Sequence, residues 1–282
     1  MALQKLKSIA RFIKIEHTLF SLPLIFSGVF IASKNPPSLM LIVLILFGAT
    51  GARTAALALN RMIDRKIDKR NPRTVDRELP SGRMAFGDAV LILLAGLITY
   101  FVCAALISTF CLMLSPLPLI IFTFYPYMKR FTSYAHFGVG LGLSMAPLGG
   151  WFAVKGSFEH IVPGLLLSFF TFSWVSGFDI IYSTLDEAFD RGEHLYSFSA
   201  RFGKTKALRI SAMLHLTAFV VLAILFFIQV RALAALPFLL VSGYLLFLEQ
   251  KKSNDVELAF FKINAVLGFA VLAMVLVGVY FP

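Results

Sequence analysis

The sequence predicts an all-α polytopic membrane protein: nine transmembrane helices around a central cavity, with a cytoplasmic N-terminus. Three observations predict it: an apolar composition, nine runs of bilayer-spanning length, and a one-sided distribution of basic residues. Hydrophobic residues make up 59% of the 282 positions, 30 of them Phe, and mean hydropathy is +0.83. Soluble domains hold about 45–50% apolar residues, and a water-soluble core of this size could not hide the excess. The basic start from Lys5 to Lys14 leads into an apolar run with no small-residue cleavage site before Lys34, so no cleavable signal peptide is expected. Cys103 and Cys111 both fall in apolar stretches and read as packing residues rather than a disulfide or metal pair.

A helix needs about 17–25 mostly apolar residues to cross a bilayer. Nine stretches qualify: 17–33, 38–59, 89–107, 110–127, 137–154, 161–182, 208–229, 232–248 and 258–281. The charges test this map. The formal net charge of +11 raises the question of nucleic acid, and the positions of the charges answer it. Of the 26 Lys and Arg, 21 lie in the N-terminal tail and in the loops 61–83, 129–130, 191–209 and 251–252. Only Lys34, Lys155 and Arg231 lie in the alternate loops. This is the positive-inside pattern of a membrane protein. Nucleic acid is not an expected partner; the lipid bilayer is. The predicted location is the cell inner or plasma membrane, multi-pass, with the basic loops on the cytoplasmic side.

Topology does not require acid, yet 10 of the 15 acidic residues fall within 64–88 and 179–193. The first window holds Asn60-Arg-Met-Ile-Asp64-Arg-Lys-Ile-Asp68, and the second holds Asp179-Ile-Ile-Tyr182-Ser-Thr-Leu-Asp186-Glu-Ala-Phe-Asp190. Each contains Asp-x-x-x-Asp, 122 residues apart, at the same end of an even-numbered span. The arrangement reads as one domain, 1–282, built of two Asp-rich halves, roughly 1–130 and 131–282. Helical spacing places Asn60, Asp64 and Asp68 on one face, and Tyr182, Asp186 and Asp190 on another. Four carboxylates facing a common space repel one another unless cations sit between them. Mg2+ suits such a group, because it takes a few carboxylates and fills its shell with water and phosphate oxygens. A diphosphate bridging the two pairs is the implied substrate. The bland alternative is a solvated helix end in which Arg61, Arg65 and Lys69 pair with the acids at helical spacing.

Arg53 lies seven residues before Asn60, on the same face and about 10 Å deeper. A charge there costs at least ~2.5 kcal/mol on insertion scales, so it must face a protected cavity. It reads either as a counter-ion for Asp64 or Asp179, or as a contact for an acceptor's carboxylate or hydroxyl. Tyr125-Pro-Tyr127-Met-Lys129-Arg130 and the loop Asn71-Pro-Arg73-Thr…Arg77-Glu-Leu-Pro80-Ser-Gly82 offer cations for phosphate, with Pro and Gly fixing the turns that aim them.

Taken together, Asn-Arg-x-x-Asp-x-x-x-Asp, Asn-Pro-Arg-Thr…Arg…Leu-Pro-Ser-Gly, Tyr-Pro-x-x-Lys-Arg and Asp-x-x-Tyr-x-x-x-Asp-x-x-x-Asp resemble the UbiA superfamily of intramembrane aromatic prenyltransferases. The opening Phe12-Ile-Lys-Ile-Glu16-His17-Thr-Leu-Phe-Ser-Leu-Pro23 resembles the 4-hydroxybenzoate polyprenyltransferase-like branch, which has relatives in menaquinone synthesis. The resemblance implies Mg2+-dependent transfer of a prenyl or polyprenyl group from an allylic diphosphate to a small aromatic acceptor, 4-hydroxybenzoate or a naphthoate. It implies metal ligands at Asp64, Asp68, Asp186 and Asp190, with Glu187 as an outer candidate. Diphosphate contacts would come from Asn60, Arg73, Arg77, Lys129 and Arg130, and acceptor contacts from Arg53 and Tyr125. Asp179, with Asp64 and Asp186, would serve the chemistry, Asp179 assisting loss of the ring proton.

Two other membrane-protein classes share some of these features. The CDP-alcohol phosphatidyltransferases also use paired Asp-x-x-x-Asp motifs, but with an Asp-Gly-x-x-Ala-Arg prefix that this chain lacks. A secondary transporter would explain the spans and Arg53, but its ion sites usually lie near mid-membrane rather than at helix ends.

Overall fold

The computed structural model describes residues 8–13, 18–33, 35–255 and 262–281, and these form helices and connections without a strand. The helices are α1 Thr18–Ala32, α2 Leu39–Asp68, α3 Phe86–Ile107, α4 Thr109–Leu114, α5 Pro116–Met128, α6 Ala135–Lys155, α7 Val162–Ser183, α8 Glu187–Gly192, α9 Phe198–Phe202, α10 Lys204–Leu225, α11 Leu236–Lys251 and α12 Asn264–Tyr280. Among the described residues, seven segments are long and apolar enough to cross a membrane: α2, α3, Thr109–Met128, α6, α7, Lys204–Val230 and Leu233–Lys251. The first and last predicted spans fall on the shorter apolar helices Ser21–Ala32 and Asn264–Tyr280. Residues 17 and 258–261 of those two spans lie outside the described residues.

Two boundaries differ from the sequence reading for local reasons. The predicted span 110–127 is two helices, because Pro116 has no N–H to continue α4 and opens α5 as its first residue. Ser115 closes α4 by donating its hydroxyl to Leu112 O at 2.7 Å. In the other direction, α2 runs nine residues past the predicted end at 59, because Asn60–Asp68 contains neither Gly nor Pro to stop the helix.

Buried Trp174, Phe170 and Leu167 of α7 pack with Leu222 of α10 and Leu267 and Met274 of α12. Large apolar side chains such as Phe47, Ile98, Met113 and Phe247 face outward, as a lipid-facing surface requires. Close approach of α2 and α3 depends on Gly51 and Gly96, where an added Cβ would meet the facing carbonyl at 2.7 and 2.9 Å; small residues let membrane helices touch backbone to backbone. The neighbours α10, α11 and α12 pack behind α7 and α1. This leaves a cavity of about 550 Å³ whose lining comes from α1–α7 and the α6–α7 connection.

Candidate active site

The last turns of α2 carry Asn60, Asp64 and Asp68 on one face, as the spacing predicts, with both aspartates buried. Beyond Lys69 the chain turns back over the helix end. Asn71 Oδ1 accepts the Arg73 N–H at 2.9 Å, and the Thr74 hydroxyl donates to Asp68 O at 3.0 Å. This folded loop aims two guanidinium groups at different carboxylates. Arg77 donates to both oxygens of Asp68, at 2.9 and 2.8 Å. Arg73 donates from Nε to Asp186 Oδ1 at 2.9 Å, from a second nitrogen to Oδ2, and from Nη1 to the Tyr182 hydroxyl at 2.6 Å. Asn71 Nδ2 also reaches Asp186 Oδ1, at 2.9 Å. One loop therefore joins the two acidic motifs at a single mouth.

The second motif departs from the predicted geometry. Tyr182, Asp186 and Asp190 do not share a helix face: α7 ends at Ser183, and Asp186 caps the separate helix α8, which carries Asp190. The break has a local cause. Ser183 and Thr184 donate their hydroxyls to Ile180 O and Ile181 O at 2.8 Å, and Ser and Thr bonded this way compete with helix continuation. Glu187, considered as an outer ligand, instead accepts from Arg191 at 3.0 Å.

Just past the end of α5, Lys129 Nζ donates to Asp64 Oδ2 at 2.6 Å. Arg130 donates to Ile63 O at 2.8 Å and lies 3.5 Å from Asp64 Oδ1. Thus Lys129, Arg77 and Arg73 neutralise Asp64, Asp68 and Asp186. The residues at helical spacing, Arg65 and Lys69, do not make these pairs. Among the described residues no three acidic, His or Cys groups close on one point as a ready cage. The donor set nonetheless fits a hard divalent cation. Two carboxylates at each helix end suit an ion that keeps waters and substrate oxygens, and Asp64 Oδ1 is buried without a hydrogen bond.

The charges on the second motif diverge. Burial alone would raise the Asp186 carboxyl, but hydrogen bonds and charge from Arg73, with Asn71 and Arg77, hold it below the ordinary carboxylate range. Asp190 is pushed up by burial, with Asp186 adding to the rise and a Ser197 hydrogen bond opposing it. Arg73, despite desolvation, is held more firmly protonated by Asp186 and Tyr182.

Below this mouth, Arg53, Tyr125 and Asp179 all line the 550 Å³ cavity, among Ala, Leu, Ile and Phe side chains. Arg53 Nη1 lies 3.5 Å from Ser21 Oγ. Asp179 is engaged by His136, with Nδ1 2.7 Å from Oδ2. Asn60 is half-buried one turn before Asp64. Sequence reasoning missed His136, a single polar residue without a motif, and gave no role to Ser21, although Ser21 lies within the opening Phe12–Pro23 segment. It also took Arg61 for a loop charge, whereas Arg61 is buried on α2; the helical spacing of Asn60, Asp64 and Asp68, with no Gly or Pro between them, was the available signal.

The comparisons coincide with this architecture. The model of the UbiA prenyltransferase family matches residues 21–266. The chain belongs to the UbiA prenyltransferase family. It is 31% identical over 198 residues to a 4-hydroxybenzoate octaprenyltransferase of Tolumonas auensis, covering 70% of this chain and 68% of the relative. A UbiA homologue from Aeropyrum pernix K1, solved without ligand, superposes with a TM-score of 0.86 at 31% identity, covering 93% of this chain and 98% of the other. A UbiA homologue from Archaeoglobus fulgidus bound to DMAPP and Mg2+ shares the fold, with a TM-score of 0.70 at 19% identity over 94% and 99% of the two chains. This UbiA-family protein is therefore an integral, multi-pass membrane prenyltransferase.

Proposed function

We propose that this UbiA-family protein transfers a prenyl chain from an allylic diphosphate to a hydroxylated aromatic acid of the 4-hydroxybenzoate type, with Mg2+ as cofactor and the acidic mouth facing the cytoplasm. The observation that carries the reading is the loop Asn71–Arg77, which ties Asp68 and Asp186 together directly above a cavity holding Arg53, Tyr125 and Asp179. The relatives' names and the DMAPP and Mg2+ of the structural neighbour support it. The basic loops at this end favour the cytoplasmic side. The chain acts as one domain of two Asp-rich halves.

Asp64 and Asp68 with Asp186 and Asp190 would hold the metal, which when bound supplies charge neutralisation of the diphosphate leaving group. Arg73, Arg77, Lys129 and Arg130, now on carboxylates or beside them, turn to diphosphate oxygens, with Asn60 adding an amide. Departure of diphosphate with the electrons of the allylic C–O bond leaves a carbocation, and the apolar cavity keeps water from it. Tyr125 presents its aromatic face to that cation. Arg53 holds the acceptor's carboxylate so that the ring carbon beside the hydroxyl faces the allylic carbon. The ring π electrons form the new C–C bond, and the ring proton passes to Asp179, restoring aromaticity.

The test is transfer of radiolabelled geranyl diphosphate to 4-hydroxybenzoate and to 1,4-dihydroxy-2-naphthoate by purified protein, with and without EDTA. EDTA-sensitive product with the benzoate is expected. Product with the naphthoate alone would reassign the acceptor, and undiminished transfer by Asp64→Ala and Asp186→Ala would remove those carboxylates from the mechanism.

A further inference from the structure

His136 opens α6 with its imidazole largely buried, and both ring nitrogens are engaged. Nδ1 lies 2.7 Å from Asp179 Oδ2. Nε2 lies 3.4 Å from the backbone nitrogen of Phe198, which can only donate. A nitrogen that accepts an N–H carries no proton, so the neutral ring must bear its proton on Nδ1 and donate it to Asp179. Asp179 in turn lines the reaction cavity.

We infer that His136 is a positioning residue for the prenyl-transfer reaction: its Nδ1–H clamps Asp179 Oδ2 and turns the other carboxylate oxygen to the acceptor ring. This rests on the proposed role of Asp179 as proton acceptor. In the step concerned, the allylic C–O bond breaks with its electrons leaving on diphosphate. A ring carbon forms the C–C bond, and the C–H electrons return to the ring as the proton moves to Asp179. His136 gives up no proton. It holds the carboxylate still, as the N–H partner of a carboxylate does in other sites where such a partner fixes orientation. The Phe198 contact ties the clamp to the segment after α8, which carries Asp190. The groups facing His136 are Asp179 from α7 and, by charge, Asp190 from α8.

The experiment uses purified full-length protein, geranyl diphosphate, and 4-hydroxybenzoate either protonated or deuterated at both ring carbons beside the hydroxyl. In the wild type, an isotope effect on kcat near unity is the expected result, with carbocation formation rather than proton loss limiting the rate. His136→Ala is expected to lower kcat by about 10–100-fold, leave KM for geranyl diphosphate within a few-fold, and raise the isotope effect clearly above unity, because proton loss becomes rate-limiting. His136→Asn places an amide N–H near the Nδ1 position and is expected to recover most of kcat and an isotope effect near unity. His136→Gln keeps a partner for Phe198 but not the Nδ1 donor. It should behave as His136→Ala, and it serves if the alanine variant does not accumulate. Unchanged kcat in the Ala or Gln variant overturns the inference. So do equal losses in the Asn and Gln variants with the isotope effect near unity, since that pattern reports packing alone. Active wild type with an unimpaired Asp179→Asn overturns the role of Asp179 and this inference with it, while leaving the assigned activity intact. Wild type that transfers geranyl to neither the benzoate nor the naphthoate overturns the parent reading as well.

Discussion

Arg73 and Asp186, 113 residues apart in sequence, form a two-pronged ion pair in which Nε and a second guanidinium nitrogen each meet a different carboxylate oxygen. Planar, paired donors match a carboxylate as they match a phosphate, so the group that closes the mouth is also shaped for the diphosphate.

Lysine cannot reproduce that fork. Arg73→Lys is expected to raise KM for geranyl diphosphate about 10-fold, and Arg73→Ala further, with KM for the aromatic acid little changed. Steady-state kinetics with each substrate varied in turn checks this. An equal rise for both substrates would place Arg73 in general folding rather than diphosphate binding.

Lys129 and Asp64 form a largely buried ion pair, with side chains 27% and 6% exposed. Removing only Lys129 leaves the buried carboxylate to Arg130, 3.5 Å from its other oxygen, and weakening a buried pair in this way costs up to about 3 kcal/mol. Lys129→Met should therefore lower the unfolding temperature in detergent. Lys129→Met combined with Asp64→Leu should regain most of the loss while remaining inactive. A double variant as unstable as the single one would contradict the pairing argument.

The shifts of Asp186 and Asp190 give opposite pH behaviour. Asp186 is held low, so the stability from its pairing is present above the ordinary carboxylate value and is lost only as pH falls through its lower folded value. Arg73→Ala should move that acid loss of stability toward higher pH. Asp190 is held high, so it takes up a proton at a higher pH than an ordinary carboxylate does. Mg2+ competes with that proton, and isothermal titration should show Mg2+ affinity weakening above the pH at which an ordinary carboxylate titrates. Asp190→Asn should bind Mg2+ more weakly and with a shallower pH dependence.

Arg53 and Ser21 meet at 3.5 Å on the cavity wall, far down α2 from the acidic mouth. Arg53→Ala is expected to raise KM for 4-hydroxybenzoate at least 10-fold, the usual scale for loss of a charge-assisted contact. Its KM for geranyl diphosphate should stay near wild type. An acceptor lacking the carboxylate should discriminate little between the two proteins.

What the sequence by itself determined was everything set by composition and local spacing. The apolar runs and one-sided charge define a helical membrane protein, because lipid leaves no other partner for the backbone. The α2 motif was legible because Asn60, Asp64 and Asp68 share a continuous helix, where position in sequence is position in space. The second motif was legible as chemistry but not as shape: hydroxyls of Ser183 and Thr184 end α7 and hand Asp186 and Asp190 to α8. Only the tertiary structure decided which cation meets which carboxylate. Arg65 and Lys69 were nearer in sequence to Asp64 and Asp68, yet Lys129 and Arg77 took them, because a loop fold and a packed helix bring charges across distances that helical periodicity does not encode. His136 carried no motif at all, and it acquired meaning only when the N-terminus of α6 was set against α7 with 2.7 Å between its ring and Asp179.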